Sequence, residues 1–173
     1  MKFSTLSLFS LIGAASAAII PEDAPDGKYS FHIDQDGKEI MTYHGPFELH
    51  DEAPSVSRVQ KRYELPGYDL GCDHVTMNHN DEDMAWRSAR DGCNRGDSTG
   101  YGTFTWKWGS AVYYICVFSG HQGCSSDEID ASARYLNDRC PGGSGPGAGW
   151  TFVKVWNKSI GRTNAGVDFC TNM

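Results

Sequence analysis

The chain has 173 residues, a formal net charge of −7 and an apolar content of 39%. This composition is not typical of a fibrous or a disordered protein, and the length predicts one domain plus processed segments. The acidic balance argues against a nucleic-acid-binding module, which needs a clustered basic face. We therefore expect no nucleic-acid partner.

The first residues have the pattern of a secretory signal peptide. Lys2 precedes the apolar run LSLFSLIGAA, and the small residues Ala15, Ser16 and Ala17 form a cleavage position. We expect residues 1–17 to be removed, the protein to be secreted into the extracellular space, and its cysteines to be oxidised. No later stretch has the ~20 apolar residues of a membrane-spanning helix, so no transmembrane segment is expected.

Residues 18–62 are acidic, contain neither cysteine nor tryptophan, and end in the basic pair Lys61-Arg62. Their runs KYSFHI and KEIMTY flank an Asp36-Gly37 turn signal and predict one β-hairpin. A lone hairpin is marginal in water, so this segment is not a domain by itself. We interpret Lys61-Arg62 as a kexin-type processing site, which makes residues 18–62 a pro-segment and residues 63–173 the mature domain. A solvated linker is the alternative interpretation.

All six cysteines lie after Arg62. An even number of cysteines in a secreted chain predicts three disulfides, and the spacing leaves their pairing open. Zinc binding is disfavoured because no C-x-x-C pair is present. A small mature domain depends on such cross-links, so we interpret all of them as structural: Cys72, Cys93, Cys116, Cys124, Cys140 and Cys170.

The sequence patterns of the mature domain predict two helices and four strands. NDEDMAWRSARDGC begins the first helix, with Asn80 or Asp81 as its cap, and GTFTWKWGSAVYYICVFSG forms a hairpin around Gly109-Ser110. CSSDEIDASARYLNDRC is the second helix, with Ser125 and Glu128 as a capping box. Its apolar stripe is predicted to consist of Ile129, Ala133, Leu136 and Cys140. GWTFVKVW and AGVDFC complete the strands. The predicted fold is an α+β two-layer sandwich in which a four-stranded, mainly antiparallel sheet carries both helices on one face, stabilised by three disulfides.

Two features of the second half predict exposed surface. The Gly-rich stretch at residues 142–149 predicts a flexible loop, which serves either recognition or simple connection. The triplet Asn157-Lys158-Ser159 is an N-glycosylation sequon in a turn between strands, so Asn157 is the predicted glycan acceptor.

His74 and His79 are the first candidates for chemistry. They lie near Asp73 and Asp81 in the stretch CDHVTMNHNDED, which raises a surface metal site as one interpretation. Their spacing matches no known pattern of metal ligands. A polar segment that precedes a capped helix accounts for the same residues.

His121 is the second candidate, in the Gly-rich stretch SGHQGCSS before a helix. Ser119 or Ser125 beside it would imitate a nucleophile and its base, but no recognised nucleophile motif accompanies them. Asp127 and Glu128 stand where a helix N-terminus favours carboxylates. We therefore assign no catalytic, cofactor-binding or metal-binding residue, and we expect no cofactor.

The layout of signal peptide, pro-segment, Lys-Arg pair and compact domain resembles small cysteine-rich secreted proteins of filamentous ascomycete fungi. The block from AVYYICVFSGHQGCSSDEIDASARYLNDRCPGG to GAGWTFVKVWNKSIGR carries this resemblance. Over about residues 110 to 170 the chain also resembles, more loosely, the killer-toxin-like α/β sandwiches of fungi. The shared features are an aromatic strand, a Cys-containing loop, a Gly-rich turn and a helix with Glu128, Tyr135, Leu136 and Cys140. The resemblance implies a secreted effector, toxin or elicitor-like factor.

We therefore expect a secreted virulence effector or toxin-like protein. It would act as a monomer by binding a host or microbial protein, or a cell-surface target, after pro-segment removal. Two alternatives stay open. A small secreted hydrolase or other enzyme would bring His121 or His74 together with carboxylates. A wall-associated or surface-associated structural protein would expose an apolar patch larger than about 400 Å².

Overall fold

The computed structural model describes residues 18–47, 63–97, 100–120 and 122–171. In these ranges the chain forms two α-helices and eight β-strands, with a short 3₁₀ turn at Lys154–Trp156. The elements in chain order are β1 (Gly27–Ile33), β2 (Glu39–Tyr43), β3 (Tyr68–Thr76), α1 (His79–Arg95), β4 (Gly102–Trp108), β5 (Ala111–Val117), α2 (Ser126–Arg139), β6 (Pro141–Gly142), β7 (Gly145–Val153) and β8 (Lys158–Asn164).

The strands form one antiparallel sheet in the order β2-β1-β4-β5-β8-β7-β3, and the short β6 pairs with β7. Helix α1 packs on β4 and β5, and α2 packs on β7 and β8. The two helices also touch each other on the same face of the sheet. The predicted combination of two helices, an antiparallel sheet and three disulfides is confirmed. The predicted number of four strands is wrong, because the described residues form eight.

The extra strands come from segments whose local pattern hides them. The hairpin predicted within residues 18–62 forms as β1 and β2, and it joins the main sheet through β4. β3 is interrupted by Asp, Gly and His, so it lacks a clear apolar alternation. Residues 165–170, predicted as a strand, are irregular apart from one bridging residue, and the final strand is Lys158–Asn164.

The Gly-rich stretch at residues 142–149 is paired backbone apart from a two-residue turn, Gly143-Ser144, and it is not the flexible loop that its composition predicts. Gly142 pairs with Gly145, and Gly147 lies opposite Thr76 of β3. A Cβ on Gly147 would lie 2.2 Å from the carbonyl oxygen of Cys140, and one on Gly149 would lie 2.4 Å from that of Gly71. These glycines therefore permit close approach of neighbouring backbones.

Helix α1 begins earlier in the chain than predicted, with a cap that precedes its acidic residues Asp81 and Glu82. Asn78 is the N-cap, and its side-chain oxygen accepts hydrogen bonds from the backbone amides of Asn80 and Asp81 at 3.0 and 3.2 Å. The prediction of Asn80 or Asp81 as cap is therefore wrong. The apolar face of α1 buries Ala85, Ala89 and Cys93, and Trp86 on the same face is partly buried.

Helix α2 has the predicted cap but not the full capping box. Ser125 Oγ accepts a hydrogen bond from the backbone amide of Glu128 at 3.3 Å. The Glu128 carboxylate binds Lys158 instead of reaching back to the cap. The predicted apolar stripe is buried, and it comprises Ile129, Ala133, Leu136 and Cys140.

Both faces of the β4–β5 hairpin are buried. Trp106, Tyr113 and Ile115 belong to the core beneath the helices. On the opposite face, Val112 and Tyr114 pack in a second core with Ala18, Ile20, Tyr29, Phe31 and Phe169. Residues around Ile20 and Phe169 therefore cover the sheet face that the helices leave free. Every residue of β5 is buried, whereas β4 is buried only in part.

Three disulfides join the described elements. Cys72–Cys140 links β3 to the end of α2, Cys93–Cys124 links α1 to the loop before α2, and Cys116–Cys170 links β5 to the irregular segment after β8. Because these bonds close loops with sequence separations of 68, 31 and 54 residues, each restricts the unfolded chain strongly.

Candidate functional site

One end of the sheet gathers loops from distant parts of the chain. Register aligns the start of β4 with the end of β5 (Gly102 opposite Val117), and the end of β5 with the start of β8 (Val117 opposite Lys158). β1 ends beside the start of β4, because Phe31 pairs with Thr103. We call this end the loop end, and it comprises Ile33, Tyr101, residues 118–120 and residues 154–157.

The loop end exposes three large apolar side chains. Val155 is 71% exposed, Tyr101 is 62% exposed and Ile33 is 48% exposed. In the described part of the chain, these are the three most exposed large apolar side chains. Large apolar side chains exposed at the same end of a sheet are compatible with a surface that contacts a partner.

Hydrogen bonds hold the loops of this end to one another. The backbone amide of Phe118 donates to the carbonyl oxygen of Asn157 at 3.0 Å, and Asn157 Nδ2 donates to Ser119 Oγ at 3.1 Å. Gln122 Nε2 donates to the carbonyl oxygen of Trp156 at 2.6 Å. Asn157, the predicted glycan acceptor, occupies the turn between β7 and β8 at φ 47° and ψ 50°. A loop fixed in this way loses little conformational entropy when it binds.

A buried ion pair lies beneath these loops. The Lys158 side chain is 2% exposed, and its Nζ lies 2.6 Å from Glu128 Oε2 and 3.1 Å from the carbonyl oxygen of Gly123. The same ammonium lies 4.7 Å from the centre of the Trp156 ring. Glu128 therefore fixes a buried lysine from β8, a role that its position near a helix N-terminus does not predict.

A second buried ion pair lies under α1. Arg162 Nη1 lies 2.8 Å from Glu82 Oε1, and Tyr113 Oη donates to the same carboxylate oxygen at 2.8 Å. Arg162 Nε donates to the carbonyl oxygen of Gly147 at 2.9 Å. Burial raises the pKa of Tyr113, which keeps its phenol protonated as a donor. Since these groups bind one another inside the core, the cluster serves the fold.

The candidate residues around His74 have structural roles. His74 and His79 are both exposed, and His74 has a positive φ of 55° where β3 changes register. Asp81 accepts hydrogen bonds from the amide and the hydroxyl of Ser110, both at 2.8 Å, so it fixes the β4–β5 turn. Burial raises the pKa of Asp73. Among the described residues, no three of His, Cys, Asp and Glu are grouped to hold a metal ion.

Other candidate residues lie outside the described ranges. His121, Lys61 and Arg62 all fall there, so their predicted roles stay predictions. Of the residues suggested as partners of His121, Ser119 binds Asn157 and Ser125 caps α2.

Two small clefts lie between the first part of the chain and the rest. One has a volume of about 240 Å³ and is lined by Lys28, His44 and Phe47 on one side and by Arg95 and Asp97 on the other. Burial lowers the pKa of Lys28, although Asp97 opposes this shift, and burial also lowers the pKa of His44. The other cleft, of about 370 Å³, is lined by Glu22 from the first part and by Gly109, Ser110, Asn164 and Ala165.

The sequence patterns single out none of the exposed residues of the loop end. Tyr101 and Val155 stand next to aromatic strand residues, and a pattern of this kind predicts core packing. One local signal was available, because Gly100 and Gly102 on either side of Tyr101 indicate a loop. Nothing comparable marks Val155, whose exposure follows from the 3₁₀ turn between β7 and β8.

The fold and its surfaces define a small α+β protein, cross-linked by three disulfides, with loops at one end that are joined by hydrogen bonds. Comparison with known protein families, curated proteins and solved structures found no match. Neither helix in the described ranges is long and apolar enough to cross a membrane.

Proposed function

We propose that the protein is a secreted effector or toxin-like protein that acts by binding. Its target is a host or competitor protein or a cell-surface component, and it acts after the chain is cut following Lys61-Arg62. The exposure of Val155, Tyr101 and Ile33 together at the loop end is the observation that carries the proposal. The loop end is the binding surface in this proposal.

The cross-links support secretion. Three disulfides in a chain of 173 residues suit an oxidising compartment, where such bonds persist. The signal-peptide pattern at residues 1–17 points to the same compartment.

The use of polar groups supports binding over hydrolysis. Asp81, Glu82 and Glu128 are each engaged in holding another element of the fold. A hydrolase needs a carboxylate or histidine directed at a substrate-sized cleft. Neither of the two described clefts is lined by any of these three carboxylates.

The test uses purified secreted protein applied to plant leaf tissue and to fungal and bacterial cells. A double variant, Tyr101→Ser with Val155→Ser, should lower toxicity or elicitor activity at least about tenfold, because it removes the apolar contacts of the loop end. The matched control is Met41→Ser, since Met41 is 43% exposed on the edge strand β2 outside the loop end.

The control should keep full activity, and both variants should keep the wild-type melting temperature. Equal activity of the double variant and the wild type would contradict the loop end as binding surface. No response of any cell type to the wild-type protein would contradict the effector or toxin function. Turnover of a polysaccharide or peptide substrate by the wild-type protein would favour the enzyme alternative.

A further inference from the structure

The residues before the basic pair are built into the sheet, although they carry the sequence pattern of a disposable segment. β1 lies between β2 and β4, and its register with β4 runs from Gly27 opposite Lys107 to Phe31 opposite Thr103. We call residues 18–47 the N-terminal segment. We propose that cleavage after Arg62 leaves the N-terminal segment in the sheet, so that the processed protein is two chains held together without a covalent bond.

This inference rests on the cleavage in the proposed function. It changes the expected consequence of that cleavage, because the N-terminal segment is retained and not removed. The surface involved is the edge of β4 with the sheet face beside it. The occupant is the chain's own N-terminal segment, which already pairs with that edge.

Backbone hydrogen bonds attach the N-terminal segment at a second place. Ala18 and Phe169 exchange two bonds, with N···O distances of 3.1 Å from Ala18 and 3.0 Å from Phe169. The amide of Gly166 donates to the carbonyl oxygen of Ile20 at 2.7 Å. The segment is therefore held both by β4 and by the chain that follows β8.

Apolar side chains of the N-terminal segment fill the second core. Ala18, Ile20, Tyr29 and Phe31 are each at most 4% exposed. The Phe31 ring meets the Phe169 ring edge-on at 5.9 Å between centroids. Departure of the segment would expose the apolar face of β5 that now packs against these side chains.

Charged groups also pair across the two parts. Lys107 on β4 is 3% exposed, and its Nζ lies 3.3 Å from Asp26 Oδ1 and 2.7 Å from the carbonyl oxygen of Gly109. Asp26 Oδ1 also accepts a hydrogen bond from the amide of Gly109 at 2.8 Å. Loss of the segment would leave the Lys107 ammonium without its carboxylate, which is costly for a buried charge. Lys28 Nζ in turn donates to the carbonyl oxygen of Asp97 at 2.8 Å.

The chain is anchored separately on each side of the cut. Phe47 stacks on Trp108 with 6.2 Å between ring centroids. On the other side, the carbonyl oxygen of Tyr63 accepts a hydrogen bond from Arg134 Nη2 at 2.8 Å. Cleavage between these anchors therefore breaks neither attachment. All six cysteines follow Arg62, so no disulfide would join the two chains.

The experiment compares the secreted wild-type protein with a Lys61→Ala/Arg62→Ala variant that lacks the basic pair. Each is purified by size exclusion, treated with a kexin-type protease, and weighed by mass spectrometry under native and denaturing conditions. We expect the wild type to give one native species whose mass is the sum of two chains, and two separate chains after denaturation. The variant should remain one chain in both conditions.

Two other outcomes would overturn the proposal in distinguishable ways. A native species with the mass of residues 63–173 alone would show that the segment leaves after cleavage. A wild-type protein that stays one chain after protease treatment and denaturation would overturn the cleavage, and with it the processing step of the proposed function. An intact two-chain species that is inactive on every cell type would contradict the proposed function while supporting retention.

Substitutions in β1 test which contacts retain the segment. In the cleaved protein, Phe31→Ala should raise the dissociation constant of the two chains on the order of a hundredfold or more, since it removes a buried ring. Ile33→Ala on the same strand is the control and should change it less than about threefold, because Ile33 is largely exposed. Asp26→Asn offers a second variant that leaves the core intact and should also weaken the complex. Equal dissociation constants for Phe31→Ala, Asp26→Asn and Ile33→Ala would contradict the assigned contacts.

Discussion

Glu82 of α1 and Arg162 of β8 form an ion pair of 2.8 Å inside the protein, with Arg162 fully buried and only 11% of the Glu82 side chain exposed. Their positions are 80 residues apart in the chain, so the pair fixes the position of α1 on the sheet. Tyr113 of β5 completes the contact by donating to the same carboxylate oxygen.

Glu82→Gln should destabilise the protein by about 3–5 kcal/mol, because it leaves the buried Arg162 guanidinium without a charged partner. The measurement is the free energy of unfolding in urea, made on the Lys61→Ala/Arg62→Ala background so that the chain stays uncut. Glu82→Leu combined with Arg162→Met should recover most of the loss, since an apolar pair needs no charge compensation.

The matched control for that prediction is an exposed ion pair on the same helix. Asp83 Oδ2 lies 2.9 Å from Arg87 Nε at i, i+4 spacing, and the two side chains are 36% and 57% exposed. Asp83→Asn should therefore change the free energy of unfolding by at most about 0.5 kcal/mol. A loss below about 1 kcal/mol in Glu82→Gln would contradict the role assigned to the buried pair.

Replacement of Cys116 and Cys170 by alanine should lower the free energy of unfolding by about 4 kcal/mol, since the bond closes a loop of sequence separation 54. The loss should be accompanied by faster hydrogen exchange at the amides of Ala18 and Phe169, which pair next to Cys170. Replacement of Cys93 and Cys124 by alanine is the control, because that bond joins α1 to the loop before α2. If the amides of Ala18 and Phe169 exchange hydrogen equally slowly in both double variants, the Cys116–Cys170 disulfide does not stabilise the pairing of Ala18 with Phe169.

Tyr29→Phe should make stability less sensitive to alkaline pH. Burial, with smaller contributions from Tyr43 and Asp26, raises the pKa of Tyr29 to about 12 from its ordinary value of 10.0. The folded protein therefore keeps the proton between these pH values while the unfolded chain loses it, and stability falls as pH rises through this window. Phenylalanine has no such proton, so the fall should be shallower.

The measurement is the free energy of unfolding of the uncut protein from pH 9 to about pH 12, followed by circular dichroism. Tyr101→Phe is the control, because Tyr101 is 62% exposed and lies outside the second core. Its pH profile should overlay that of the wild type. Identical slopes for Tyr29→Phe and the wild type would contradict the assigned effect of burial.

Gly92→Ala should destabilise the protein by about 1–3 kcal/mol, against the ordinary preference of helices for alanine. A Cβ at Gly92 would lie 2.4 Å from Nε1 of the buried Trp106 ring, so α1 would have to move away from β4. Asn94→Ala, at an exposed position of the same helix, should be neutral or slightly stabilising. The measurement is the melting temperature of each variant. A melting temperature of Gly92→Ala above that of the wild type would contradict the close contact between Gly92 and Trp106.

Asn157→Gly should remove one N-linked glycan and leave the fold unchanged. Glycine suits the positive φ of 47° at this turn, and the backbone bond from the Phe118 amide is kept. Intact mass spectrometry should show the glycan on the wild type only, and enzymatic deglycosylation of the wild type supplies the control. A wild-type mass equal to that of the bare polypeptide would contradict the predicted acceptor.

Local signals account for what the sequence could predict. The Gly109-Ser110 turn, the Ser125 cap and the apolar stripe of α2 each depend on residues within a few positions of one another. Such short-range chemistry is readable without a structure, and it also located the hairpin of β1 and β2. The even cysteine count predicted three disulfides, but not which cysteines pair.

Long-range contacts account for what was missed. Nothing within β1 indicates that its partner is β4, whose paired residues lie between 72 (Phe31 with Thr103) and 80 (Gly27 with Lys107) positions further along the chain. The hairpin therefore looked independent of the mature domain. The charged residues Lys158 and Arg162 made β8 look like an exposed turn. Both side chains are buried, because Glu128 pairs with Lys158 and Glu82 pairs with Arg162. The exposure of Val155 at the loop end likewise depends on how β7 meets β8.

The pairing of Ala18 with Phe169 places the start and the finish of the described chain side by side. A circular permutant could therefore begin at residue 63, run to residue 171, and continue through a short glycine-serine linker into residues 18–47. Its new ends, residues 63 and 47, would flank the segment in which the protease is proposed to cut. The permutant would have the fold of the cleaved protein in a single polypeptide. Its production would not depend on a processing enzyme in the expression host.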